Sequence, residues 1–186
     1  MQRLQQVLCQ LSPSDAAATS AKSPFWAGEK GILRAGIVGL DTSHSVAFTK
    51  ALNAENPPPE FAGTRVVAAV KRGTGAEAFR IAPLISSSAV RIPAYIKEVE
   101  SMGVEVMEDT SSFQLGEMLE KVDVVFLETN DGNPRLEQAV QVLRAGKPMF
   151  IDKPVAKNLE DTLAIYALAK GLGVPIFSSS SLRWAE

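Results

Sequence analysis

The residues best suited to chemistry fall in a few short strings. Gly39-Leu40-Asp41-Thr42-Ser43-His44 follows an apolar run and offers a carboxylate, two hydroxyls and the only imidazole in the chain. A turn of this kind, leading from a strand into a helix, points backbone N–H groups and a helix N-terminus at an anion. The dinucleotide fingerprint G-x-G-x-x-G needs glycine at positions 41 and 44, for close approach to a pyrophosphate and for packing of helix on strand. Asp41 and His44 stand there instead, and a carboxylate aimed at a diphosphate repels it. Thr42 and Ser43 can still donate hydroxyl and backbone N–H groups. The bland alternative is that Asp41, Thr42 or Ser43 caps the following helix, and that His44 is structural or faces solvent.

Lys71-Arg72 follows a second apolar run. Nucleotide folds place an acid there for the ribose hydroxyls, whereas two cations suit a 2′-phosphate; a solvated surface pair is the alternative. Asp152-Lys153-Pro154 follows a later run, and a lysine at a strand end can polarise a hydroxyl or carbonyl or tune a proton relay. A surface salt bridge is its alternative. Residues 128–133 occupy an equivalent strand end. No histidine lies near Lys153 in sequence and His44 falls on the phosphate side, so no proton relay is expected at Lys153.

These strings are spaced by a regular alternation. Short apolar runs at 33–39, 65–70, 104–107, 123–128, 148–151 and 174–177 read as buried strands. Helical spacing appears at 45–56, 111–121 and 133–145, and Asn158 with Asp161 three residues on opens a helix to about 170. Pro93 suits the first turn of a helix through Met102, with Gly103 as its stop. Residues 73–91 read as loop with one helical turn at most. About six strands alternating with helices imply right-handed βαβ units, hence an α/β fold with a Rossmann-type doubly wound parallel sheet. Ligands then bind beyond the strands' carboxyl ends, where the strand order reverses.

Composition narrows the rest. The chain has 186 residues, 46% hydrophobic and 22% charged, with a net charge of −2. That is globular composition with no broad basic field for nucleic acid or an anionic membrane. One cysteine and one histidine leave no disulfide framework and no Cys- or His-rich metal centre. No apolar run reaches the ~18 residues of a membrane helix, and the glutamine-rich start lacks a secretory h-region. The cytoplasm is therefore the default location. A serine hydrolase is set aside because no G-x-S-x-G elbow occurs.

One segment is specific. Leu143-Arg144-Ala145-Gly146-Lys147-Pro148-Met149-Phe150-Ile151-Asp152-Lys153-Pro154-Val155-Ala156, preceded by the Gly39 turn and Val122-Asp123-Val124-Val125, resembles the Gfo/Idh/MocA family. These are the relatives of glucose-fructose oxidoreductase and inositol dehydrogenase, whose Rossmann domain carries an A-G-K-x-x-x-x-E-K-P segment. The likeness runs over residues 33–184 in order and spacing. It implies that Lys153 is the lysine contacting substrate and nicotinamide, with Asp152 in place of the usual glutamate. It implies a cofactor, NADP or NAD, held by Gly39, Leu40, Asp41, Thr42, Ser43, His44, Lys71, Arg72, Asn130, Asp152, Lys153 and Pro154. NADP is favoured by Lys71 and Arg72.

The chain departs from the family pattern in three places. The glycine-rich turn is G-L-D-T-S-H, as in a divergent branch, and the acid after the second strand is absent. The family's T/N-P-x-x-x-H segment is here Thr129-Asn130-Asp131-Gly132-Asn133-Pro134-Arg135, with Arg135 near the usual histidine. Family members also continue into a second α/β domain that binds sugar-like substrates. The expected division is a leader or linker over 1–30, the nucleotide-binding domain over 31–181, and the start of a truncated second domain at 182–186. The expected function is the nucleotide-binding part of an oxidoreductase acting on a sugar or polyol, inactive alone. Bare apolar surface around Phe177, Leu182 and Trp184 suggests self-association. The competing expectation is a non-catalytic binding or scaffold domain that has lost its dinucleotide.

Overall fold

The computed structural model describes residues 31–71, 83–108 and 115–180, with backbone alone for 83–90. Six strands form one parallel sheet: β1 (Leu33–Val38), β2 (Thr64–Val70), β3 (Glu105–Met107), β4 (Val124–Leu127), β5 (Met149–Ile151) and β6 (Ile176–Ser178). Their spatial order is β3-β2-β1-β4-β5-β6, the doubly wound order expected from the alternation. Between the strands run α1 (Ser43–Leu52), α2 (Pro83–Ser101), α3 (Gly116–Lys121), α4 (Arg135–Arg144) and α5 (Leu159–Leu172).

The strands read as continuous apolar runs because both sheet faces are covered. Val38, Val70, Val125, Leu127, Met149 and Ile151 pack in one core with buried side chains of α3, α4 and α5. Ala35 and Ile37 of β1, with Val66 and Ala69 on either side of an irregularity in β2, pack in a second core with Val46 of α1 and Val99 of α2. The period-2 geometry of a strand is what divides one apolar run between two cores.

Helix ends follow local chemistry. Asn158 accepts the Asp161 N–H at 2.8 Å and caps α5, as its spacing predicts, and Gly173 ends the helix in the left-handed region at φ 66°. α1 runs over 43–52 rather than 45–56. It stops because the Asn53 amide turns away to donate to the Val66 carbonyl (2.9 Å) and accept the Val66 N–H (2.8 Å). The A-G-K string is a helix stop as well. Gly146 lies at φ 68°, and the Lys147 ammonium donates to the Val122 carbonyl at 2.7 Å.

One expected element is wrong in extent. Pro93 lies inside α2, which begins at Pro83, within the stretch read as loop. An interior proline removes one helix donor and costs about 3 kcal/mol. Val99 in the core, with Tyr95 and Ile96 packed against it, supplies the apolar contacts that offset the proline. The predicted helix over 111–121 is present from Gly116; residues 109–114 lie outside the described set. Among the described residues no helix is long and apolar enough to cross a membrane.

Candidate functional site

Strand order reverses between β1 and β4, so the crevice beyond their carboxyl ends is the natural ligand position. Gly39 leaves β1 at φ 100°, and a Cβ there would lie 2.5 Å from the Thr129 backbone nitrogen. This glycine therefore serves the close approach of the β1 and β4 turns. Asp41 comes next, fully buried, and its carboxylate accepts the Asn130 N–H at 3.1 and 3.2 Å. The carboxylate joins the two turns rather than projecting into solvent. Thr42 caps α1: its Oγ1 accepts the His44 N–H at 3.3 Å, while its carbonyl accepts the Ser45 hydroxyl at 2.7 Å. Ser43 is exposed on the first turn, which contains no acid. An anion fits there.

Below the crevice lies a buried ionic cluster. Arg135, at the start of α4, is wholly buried and donates through Nε to the Thr129 carbonyl at 2.9 Å and through an η nitrogen to the Asp152 carbonyl. It ties the β4 turn to the β5 turn. Burial lowers its pKa to about 10, against the opposing pull of Asp152, Asp41, Glu128 and Asp131, so it stays cationic at neutral pH. Glu128 ends β4, also wholly buried, and neither carboxyl oxygen has a hydrogen-bond partner among the described residues. Burial, reinforced by Asp152 and Asp41 and opposed by Arg135, pushes its carboxyl well above the usual range. Burial thus favours the protonated form of Glu128. Asp131 accepts the Asn133 N–H at 3.0 Å.

The fold brings together two groups that the sequence keeps 108 residues apart. His44 Nδ1 lies 2.6 Å from Asp152 Oδ2. The other Asp152 oxygen accepts the Lys153 N–H at 2.8 Å. A carboxylate can only accept, so the shared proton sits on Nδ1 and the imidazole is held in one orientation. Its Nε2 has no hydrogen-bond partner among the described residues, and the ring is 40% exposed. The imidazole that lies far from the Asp152-Lys153-Pro154 turn in sequence is thus bonded to Asp152 in the fold.

The remaining candidates divide clearly. Lys153 and Pro154 are exposed at the β5 end, joined by a cis peptide bond, and Asn130 is half-buried beside Asp41. Leu40 is wholly buried in the α1–α2 core. Lys71 forms an ion pair with Glu108, so the β2 end carries an acid supplied by the β3 end. Arg72 lies outside the described residues. Glu128, Asp131 and Arg135 belong to the cluster although sequence reasoning gave them no role. Their position after β4 was the available signal.

Solved structures that share this fold include several oxidoreductases. Scyllo-inositol dehydrogenase from Lactobacillus casei, with bound NAD(H) and scyllo-inositol, is 18% identical over 83% of this chain, with a TM-score of 0.56. KijD10, a 3-ketoreductase from Actinomadura kijaniata solved with NADP, is 22% identical over 79%, with a TM-score of 0.51. The WlbA dehydrogenase from Chromobacterium violaceum, with NADH and UDP-GlcNAcA, is 19% identical over 82%, with a TM-score of 0.54. This chain spans 38%, 38% and 36% of their respective lengths. At these identities the likeness shows the fold. No curated protein matches the sequence. The sequence description of the oxidoreductase family with the NAD-binding Rossmann fold matches residues 33–179, most of the chain. With its doubly wound order and its D-K-P turn at the β5 end, this chain belongs to that family, Gfo/Idh/MocA.

Proposed function

We propose that the chain is the nucleotide-binding domain of a cytoplasmic NAD(P)-dependent oxidoreductase acting on a sugar or polyol. The observation that supports this most is the meeting, at one crevice, of the α1 N-terminus and the Asp152-Lys153-Pro154 turn. The residues present fit a dinucleotide. The acid that replaces the fingerprint glycine is buried against Asn130, which leaves the mouth of α1 to Thr42, Ser43 and His44. When bound, the nicotinamide accepts or donates the hydride. The chain's own residues bind and orient. The Gly39 turn, Thr42 and Ser43 hold the diphosphate, Asn130 lies beside it, and the Lys153 ammonium holds the substrate oxygen.

NADP(H) is the preferred cofactor in this reading, because Lys71 and Arg72 meet a 2′-phosphate where an acid would meet ribose hydroxyls. The exposed Glu108 competes for Lys71 and is displaced when the phosphate arrives. Thermal melting with each dinucleotide tests the reading. A ligand at a hundredfold its Kd stabilises the native state by about 2.7 kcal/mol, roughly 5–10 °C for a domain of this size. Both dinucleotides should raise the Tm, NADPH more than NADH, and Lys71→Ala should narrow the difference. No shift with either would favour a scaffold domain that has lost its cofactor.

A further inference from the structure

Resting on that dinucleotide reading, we propose that His44 binds the cofactor's diphosphate as an imidazolium paired with Asp152, and that the domain takes up a proton at His44 when the dinucleotide binds. A charged side chain then contributes to diphosphate binding at a position where the fingerprint glycine serves only the packing of helix on strand.

Ring geometry carries the argument. With the Nδ1 proton directed at Asp152, Nε2 of a neutral ring presents only a lone pair. A phosphate oxygen also presents lone pairs, so the two repel until Nε2 gains a proton. Imidazole is the side chain whose charge changes between about pH 5 and 8, which makes that proton available near neutrality. His44 is the second residue of α1, so its charge and the helix N-terminus both attract an anion, and a bound anion offsets their mutual repulsion. Phe48 lies edge-on beneath the ring at 6.2 Å and Asp152 holds its far side, so Nε2 is the edge left for a ligand.

The surrounding charges make the proton necessary. From the β1 turn comes Asp41, from the β4 turn Asp131 and Glu128, from α4 Arg135, and from the β5 turn Asp152, Lys153 and Lys157. Burial favours the uncharged form of Glu128, and the Arg135 guanidinium is wholly buried on the Thr129 and Asp152 carbonyls, out of reach of a ligand. Lys157 faces Asp161 at 3.8 Å. Three aspartates thus border the crevice; Lys153, exposed at the β5 end, is assigned to the substrate oxygen, which leaves a protonated His44 as the cation for the diphosphate.

Calorimetric titration of the 186-residue chain with NADH is the test. The NADH diphosphate stays fully ionised across the neutral range, so the ligand contributes no proton of its own. Titration near pH 7.5 in HEPES and in Tris, which differ in ionisation enthalpy, counts the protons exchanged. The expected result is uptake of about half to one proton per NADH, with affinity falling about tenfold between pH 6.5 and 8.5. His44→Gln should abolish the uptake and flatten the pH dependence, and Asp152→Asn should reduce both. NADH binding without proton uptake, or with uptake that survives His44→Gln, overturns the proposal and leaves the dinucleotide reading standing. Absence of binding by both NADH and NADPH from pH 6 to 8.5 overturns the two together.

Discussion

Glu128 and Arg135 are both wholly buried at the carboxyl end of the sheet, where burial works against the charge of each. Arg135 keeps its charge and satisfies two backbone carbonyls, while the carboxyl oxygens of Glu128 pair with nothing among the described residues. The pKa of Glu128 is raised on folding, so the folded state holds a proton that the unfolded chain loses near pH 4.3. Its contribution to stability is complete below that value and declines as pH rises toward the folded pKa. Across that window the slope reaches about 1.4 kcal/mol per pH unit, roughly 3–5 °C in Tm. Glu128→Gln, which cannot ionise, should therefore match the parent near pH 4 and melt higher than it at pH 8, as thermal scans across pH would show. Arg135→Met should lose on the order of 3 kcal/mol at neutral pH, since the carbonyls and carboxylates around it lose their cation. A denaturant midpoint unchanged from the parent would contradict that assignment.

At the scale of elements, the strand-end turns are held by single contacts whose removal has a readable cost. Asn158 is the side-chain cap of the fourteen-residue α5, which carries the D-K-P turn's far end. Asn158→Ala should destabilise by about 1 kcal/mol, the usual worth of such a cap, or some 2–4 °C in Tm. The β1 turn is less forgiving. Gly39→Ala would place a methyl 2.5 Å from the Thr129 nitrogen at a φ of 100°, so both the turn and its spacing from β4 must shift. α2 shows the opposite case, a helix whose core contacts override a local signal. Its proline sits mid-helix because Tyr95, Ile96 and Val99, in the turns that follow it, anchor the helix in the core.

At the scale of the whole molecule, an aromatic row crosses the sheet and reaches solvent. Phe126, Phe150 and Phe177 stand in register across β4, β5 and β6, with ring centroids 6.0 and 5.7 Å apart, and Phe48 of α1 covers the inner end. Phe177 at the outer end is 60% exposed. We propose that this aromatic row, running from a covered core to solvent, serves association between copies of the chain. The chain should self-associate with rising concentration in sedimentation velocity, and Phe177→Ser should shift it toward monomer. A parent that stays monomeric throughout would remove the argument.

Much of this architecture is legible in the chain itself. Strand positions, the doubly wound class and the α5 cap follow from local periodicity and one side-chain bond spanning three residues, and local rules suffice for those. The A-G-K to D-K-P string carried the family likeness for the same reason, since its helix stop, strand and turn are contiguous. Local rules failed at Pro93, where tertiary packing outweighed a proline's intrinsic cost, and the site's inner wiring lay beyond them. Asp41 reads as a charge that repels a phosphate until Asn130, 89 residues away, is seen to bury it. His44 and Asp152 read as unrelated until the sheet sets the β1 and β5 ends on either side of β4. Only the tertiary structure decided which charges meet, because burial and pairing depend on strand order, and strand order is a property of the folded sheet.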